Sequence, residues 1–220
     1  MRFSISAIVI TLAIAFNSAP VFATCTEGNC NNGTGTFVYP SGGQYVGEFK
    51  HSYPHGEGTL TYPDGSTYSG TFDNNELHGK GVYTFPNGDK YDGNFVKSKR
   101  QGQGTLTLND GKTYIGQFEN NQKHGTGILS FPDGTVYDGS FVNGAAQGEG
   151  VLTSPKGDKF TGSFENGLPN GQGKMAYADG SSYEGEWQNN VPSGQGAYTY
   201  KDGKTKIRGL FRDGNYVGEE

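Results

Sequence analysis

The chain has 220 residues, a formal net charge of −5 at pH 7 and 38 glycines. An acidic balance offers little to a phosphate backbone, which argues against a nucleic-acid partner, and 32% hydrophobic residues is lean for a globular core. Yet 14 Tyr and 14 Phe are too many rings for a disordered low-complexity chain, so glycine and aromatics together point to a repeat architecture.

Residues 1–23, MRFSISAIVITLAIAFNSAPVFA, carry one cation, Arg2, an apolar run from Ile5 to Phe16, and small or short residues at Val21 and Ala23. This is the layout of a secretory signal peptide cut after Ala23. A membrane-spanning helix needs about 20 predominantly apolar residues, and Asn17, Ser18 and Pro20 interrupt this run early. The expected destination is secreted or periplasmic, with an uncleaved N-terminal membrane anchor as the alternative. The next segment, 24–32, holds both cysteines, Cys25 and Cys30. Two cysteines cannot complete a zinc site, and their spacing is not that of a CxxC redox pair. In an oxidising compartment they are expected to form a small structural disulfide.

From residue 33 the chain repeats every 23 positions. Tyr45, Tyr68, Tyr91, Tyr114, Tyr137, Phe160 and Tyr183 are each followed two residues later by glycine. Two further on stand Phe49, Phe72, Phe95, Phe118, Phe141, Phe164 and Trp187. A step of two is the strand period, so ring, glycine and ring share one face. Six variable polar residues follow, such as DNNELH (73–78), then a GxG pair such as Gly79/Gly81. A second alternating run comes next: Leu60 and Tyr62, Tyr83 and Phe85, Leu106 and Leu108, Leu129 and Phe131. Each copy closes on a YPDG, FPNG or FPDG turn. The pattern predicts two antiparallel strands per copy, with a tight turn at the DG and a longer loop over the six polar residues. A lone hairpin is marginal in water, so copies must stack to share a core.

YxGxF, GxG and a DG turn at a 23-residue period, over residues 33–218, resemble the MORN (membrane occupation and recognition nexus) repeat family. The resemblance implies an all-β fold: an elongated, twisted, single-layer antiparallel sheet of about eight copies over 33–220, with a groove along its aromatic face. Departures sit late in the chain, where Ser154 replaces an aromatic, Lys156 the turn Asp, Trp187 a Phe, and Ile207 a Tyr after a one-residue insertion. At two strands per copy, copies would lie roughly 10 Å apart and eight would span on the order of 75 Å. Lys206 and Arg208 on the last long strand read as guards against edge-to-edge sticking. Related proteins dimerise through terminal repeats, so a homodimer through the ends remains open.

No pattern of catalysis, cofactor binding or metal ligation stands out. His55, His78 and His124 share one slot of different copies, but a metal needs ligands about 2 Å from one centre. The GKT tripeptides at Gly111–Thr113 and Gly203–Thr205 lack the leading glycine of a phosphate loop, having Leu106 and Tyr198 there. Asp64, Asp110 and Asp133 are turn residues for which Asn87 substitutes. Asn32-Gly33-Thr34 is a glycosylation sequon, relevant to a eukaryotic secretory route. An enzyme is not expected.

The function read from this chain is a non-enzymatic scaffold that holds a protein or peptide in the aromatic groove. The candidate groove residues are Tyr68, Phe72, Tyr91, Phe95, Tyr114, Phe118, Tyr137 and Phe141, which must also supply the core. Peripheral binding to an anionic membrane is the alternative, with Lys97, Lys99 and Arg100 of KSKR as the candidate lipid-contact loop. Loss of 1–23 removes Arg2 and leaves 16 of the 17 basic residues against 22 acidic ones, which disfavours that alternative. A carbohydrate or cell-wall module is less favoured still, since such modules display several Trp for sugar stacking and this chain has one.

Overall fold

The computed structural model describes residues 24–219; the signal peptide expected over 1–23 lies outside them. The described residues fall into two compact units, 24–122 and 123–219. Neither contains a helix. In each, every strand pairs antiparallel with the next strand in the chain, giving a single-layer meander. Seven-residue strands alternate with nine-residue ones, as in Thr67–Asp73 and Glu76–Thr84.

The two turns of a copy differ from the sequence expectation. The six polar residues do not form the longer loop. Asn74 and Asn75 alone connect Thr67–Asp73 to Glu76–Thr84, with φ of 47° and 68°. This two-residue left-handed turn matches the twist of a hairpin, and asparagine tolerates its backbone angles. His51-Ser52, Lys97-Ser98 and Asn189-Asn190 repeat it. Glu76, Leu77 and His78 therefore belong to the strand. The DG connection is the longer one. There the Tyr62 N–H donates to the Ser66 carbonyl at 2.9 Å and the Gly65 N–H to the Tyr62 carbonyl at 3.0 Å. Asp64 Oδ1 accepts from the Ser66 N–H at 2.9 Å and from its hydroxyl at 2.6 Å, locking the turn.

The six-residue stretch was long enough to look like a loop because the strand it feeds is bulged. Gly70 pairs with Gly81 and Phe72 with Leu77, so three residues on one strand oppose Thr71 alone. The bulge leaves the Thr71 carbonyl outside the ladder, and the Tyr68 hydroxyl donates to it at 2.9 Å. Tyr91, Tyr114, Tyr137 and Tyr183 make the same bond to Asn94, Gln117, Ser140 and Glu186 at 2.9–3.0 Å.

To reach that carbonyl each tyrosine ring lies flat over two paired glycines. A Cβ on Gly81 would fall 2.4 Å from the Tyr68 ring, and one on Gly70 would fall 2.8 Å from its hydroxyl. Only hydrogen fits beneath the ring. The first glycine of the GxG pair serves another purpose: Gly79 has φ +59° at the bulge, and a Cβ there would meet only the Thr71 side chain, at 3.3 Å.

The rings then pack edge to face in an unbroken row within each unit. Tyr68 meets Phe72 of its own copy at 5.0 Å and Phe95 of the next at 5.1 Å, with interplanar angles of 88° and 85°. In the second unit Tyr137 meets Phe141 at 5.2 Å and Phe164 at 4.7 Å. Burying such a ring is worth about 1.5–3 kcal/mol, and each edge-to-face pair adds roughly 0.5–1.5 kcal/mol. Half of those pairs are made with the neighbouring copy, which is why a copy needs its neighbours.

At the N-terminal end of the described residues no earlier ring covers Gly35. Cys25 and Cys30 are joined by the expected disulfide, and Cys30 Sγ lies 2.8 Å from where a Cβ on Gly35 would stand. The disulfide thus occupies the place that a tyrosine ring takes over Gly58 and Gly81. It holds Thr24–Gly28 against Gly33–Val38 as the covering edge strand.

Candidate functional site

The eight rings expected to line a groove are interior to the layer. Tyr68 and Tyr91 are 0% exposed, and Phe72, Phe95, Tyr114, Phe118, Tyr137 and Phe141 no more than 3%. The apolar surface left accessible on that face belongs to the side chains around them. These are the half-buried Leu106 of Lys99–Thr107 and, just past the ends of the longer strands, Tyr62, Phe85, Leu108, Phe131 and Tyr177. A further row, which the sequence reading passed over, sits opposite each phenylalanine. Phe49 pairs with Pro54, Phe72 with Leu77, Phe95 with Arg100, Phe141 with Ala146, Phe164 with Pro169 and Trp187 with Pro192. The signal was present: the fifth of the six "variable" residues is apolar in most copies.

That slot decides how much room is left over the rings. In the unit 123–219 it holds Ala146, and a small, almost wholly apolar open cavity of about 20 Å³ lies there, lined by Leu129, Phe131, Tyr137, Phe164, Pro169 and others. Tyr137 is the one predicted groove residue that lines it. The floor is preformed by buried rings, so an entering apolar group need not reorganise the core.

In the unit 24–122 the slot holds Arg100, and the expected basic loop is broken up there. Lys97 and Lys99 are exposed, Lys97 in the turn with Ser98, but Arg100 points onto the ring face and is only 8% exposed. Its guanidinium carbon lies 5.5 Å from the ring centroids of Tyr91 and Phe118 and 6.0 Å from that of Phe85. Its backbone N–H donates to Asn121 Oδ1 at 2.8 Å, and Nη2 donates to the Asn121 carbonyl at 2.5 Å. Among the described residues no carboxylate pairs with it. Burial lowers its pKa from the ordinary guanidine value, against a smaller opposing effect of Tyr91. Lys97, Lys99 and Arg100 therefore do not form one lipid-facing cluster, because strand alternation turns Arg100 inward.

The remaining polar candidates serve the framework. His55 Nδ1 stands 3.4 Å from Asp73 Oδ1, and the His78 carbonyl accepts a second contact from the Tyr68 hydroxyl at 3.3 Å. Among the described residues no group of three or more His, Cys, Asp or Glu side chains is placed to hold a metal ion. In the first GKT, Lys112 pairs with Asp110 at 2.7 Å inside its own turn. Asp64, Asp133, Asp179 and Asp202 have lowered pKa values because their own turns donate hydrogen bonds to them.

A solved structure above TM-score 0.5 shares this architecture. The G-box domain of the microcephaly protein CPAP aligns with TM-score 0.54 at 17% identity, covering 87% of this chain and 100% of that one. The Drosophila melanogaster SAS-4 (dCPAP) TCP domain, solved with a proline-rich motif of Ana2, gives 0.48 at 12% identity, covering 77% and 94%. The wild-type TCP10 domain of Danio rerio CPAP gives 0.41 at 16%, covering 81% and 90%. At such identities the likeness is one of fold alone. No curated protein matches the chain. The MORN repeat model matches eight consecutive segments, 32–44, 45–67, 68–90, 91–113, 114–136, 137–159, 160–182 and 183–205. With its 23-residue period, ring-over-glycine packing and these eight matches, the chain belongs to the MORN repeat family.

Proposed function

We propose that this MORN-repeat protein is a non-enzymatic scaffold, exported by its N-terminal signal to a secreted or periplasmic location, that docks a protein or peptide on its ring face. One observation carries the reading: the apolar cavity above Ala146, with its rigid floor of buried rings. Pockets of this kind, concave and mainly apolar, are where apolar side chains of a partner anchor. The lipid alternative is weaker with Arg100 turned inward, since the exposed cations left in KSKR are Lys97 and Lys99, worth about 1 kcal/mol each at an anionic surface.

The test fills the cavity. Leu77 occupies the equivalent slot of another copy, next to Phe72, so Ala146→Leu can be accommodated by the fold. A partner captured by the wild-type chain and lost or markedly weakened with Ala146→Leu, at unchanged stability, supports the reading. Equal capture by both forms contradicts it.

A further inference from the structure

Arg100 is a cation in a slot that five other copies fill with Pro54, Leu77, Ala146, Pro169 or Pro192 and the following copy with Lys123. An apolar residue suffices to cover the rings, so covering them does not explain the charge. Removing a guanidinium from water without a counter-ion is costly, and the three surrounding rings offset only part of that. The side chain is also held still, by the ring stack and by Nη2 on the Asn121 carbonyl. A guanidinium offers five N–H donors in a planar fork, and that carbonyl takes one. None of its nitrogens is both shut off from solvent and unpartnered, so the unused donors keep a narrow contact with solvent. Exposed Lys97 and Lys99 add positive potential nearby.

We propose that Arg100 anchors a carboxylate of the bound peptide, so that this part of the ring face selects an acidic residue flanked by apolar side chains. The inference rests on the reading of the ring face as a peptide-docking surface and names the chemistry of the occupant. A fixed, planar fork matches a carboxylate bidentately. The flanking apolar groups would lie on half-buried neighbours such as Leu106 and Leu108. The chain as a whole is acidic, so this local cation also sets the register of an acidic segment that the rest of the surface repels.

A random peptide display library panned on the full chain tests this, with Arg100→Leu and Arg100→Lys beside wild type. Circular dichroism and denaturation midpoints check that both variants fold. The expected result is a selected family with Asp or Glu at one fixed position between apolar residues. Changing that acid to its amide, or Arg100 to Leu, weakens binding roughly 30-fold or more, and making both changes weakens it little further. Arg100→Lys falls between, because it keeps the charge and loses the fork. Peptides that bind the ring face without an acidic position, or bind Arg100→Leu equally well, overturn the anchor and leave the docking reading standing. If no peptide binds and the chain instead sediments with phosphatidylglycerol vesicles in an Arg100-dependent way, both fall.

Discussion

Tyr68 lies so flat on Gly81 that a Cβ there would stand 2.4 Å from the ring. That contact, repeated along each unit, lets a sheet one layer thick bury large side chains without a second layer to cover them. Ring and glycine form a single device, since neither residue packs without the other.

Gly81→Ala is therefore expected to destabilise the protein by about 3 kcal/mol, as overpacking against a ring that cannot move away. Gly65→Ala is its control. Nothing lies within 4 Å of a Cβ there, but φ is +86°, so it should cost about 1 kcal/mol of backbone strain. Denaturant midpoints at constant slope separate the two, and equal costs would contradict the packing argument.

The Tyr137 hydroxyl bonds the Ser140 carbonyl at 3.0 Å, whereas the corresponding ring of the next copy is Phe160, with no hydroxyl to reach Ser163. Tyr137→Phe should cost about 1–2 kcal/mol, because it strands a carbonyl already outside the ladder. Phe160→Tyr should stabilise by about 0.5–1 kcal/mol, and a loss on making it would show that this copy is too tight for the added oxygen.

Alkaline unfolding should be steep. Burial pushes Tyr91, Tyr114, Tyr137 and Tyr183 up to about 12 from an ordinary value near 10. These groups stay protonated in the fold while the unfolded chain ionises, so the unfolded state binds fewer protons and stability falls as pH rises from about 10 through about 12. Their contribution is fully present below pH 10. Tyrosinate absorbance should rise together with loss of strand signal by circular dichroism. Ionisation complete near pH 10 with the sheet intact would contradict the burial of these hydroxyls.

Replacing Cys25 and Cys30 by serine uncovers Gly35 and frees the short loop between them, at a cost of about 2 kcal/mol. Hydrogen exchange should speed up over Thr24–Val38 and leave copies beyond Tyr68 protected, because coupling in a stacked array is to nearest neighbours. Uniform acceleration along the chain would refute local capping.

Much of this was legible in the sequence. Period two across Tyr45, Gly47 and Phe49 gave strand and face, and recurrence at 23 gave the stacked copies. Glu76, Leu77 and His78 read as loop because the bulge opposite Thr71 inserts residues that break strict alternation between Phe72 and Gly81. The candidate groove was half legible. The rings were correctly expected on one face, but the same hydrophobicity that marks Tyr91 or Phe118 as a contact also buries it, and only packing decides. Arg100 read as part of an exposed basic run because Lys97 and Lys99 flank it, whereas facing is set by the turn at Lys97-Ser98, whose left-handed backbone no composition signals.

The central claim is that the ring face, and not the opposite face, holds the partner. Photo-cross-linking tests it most directly, with a benzophenone amino acid placed at Leu106 or Tyr177 on the ring face, or at Val46 or Ile115, exposed between the face-defining positions. The account predicts that one protein is joined from Leu106 or Tyr177 and that none is joined from Val46 or Ile115. A partner joined only from Val46 or Ile115 would contradict it.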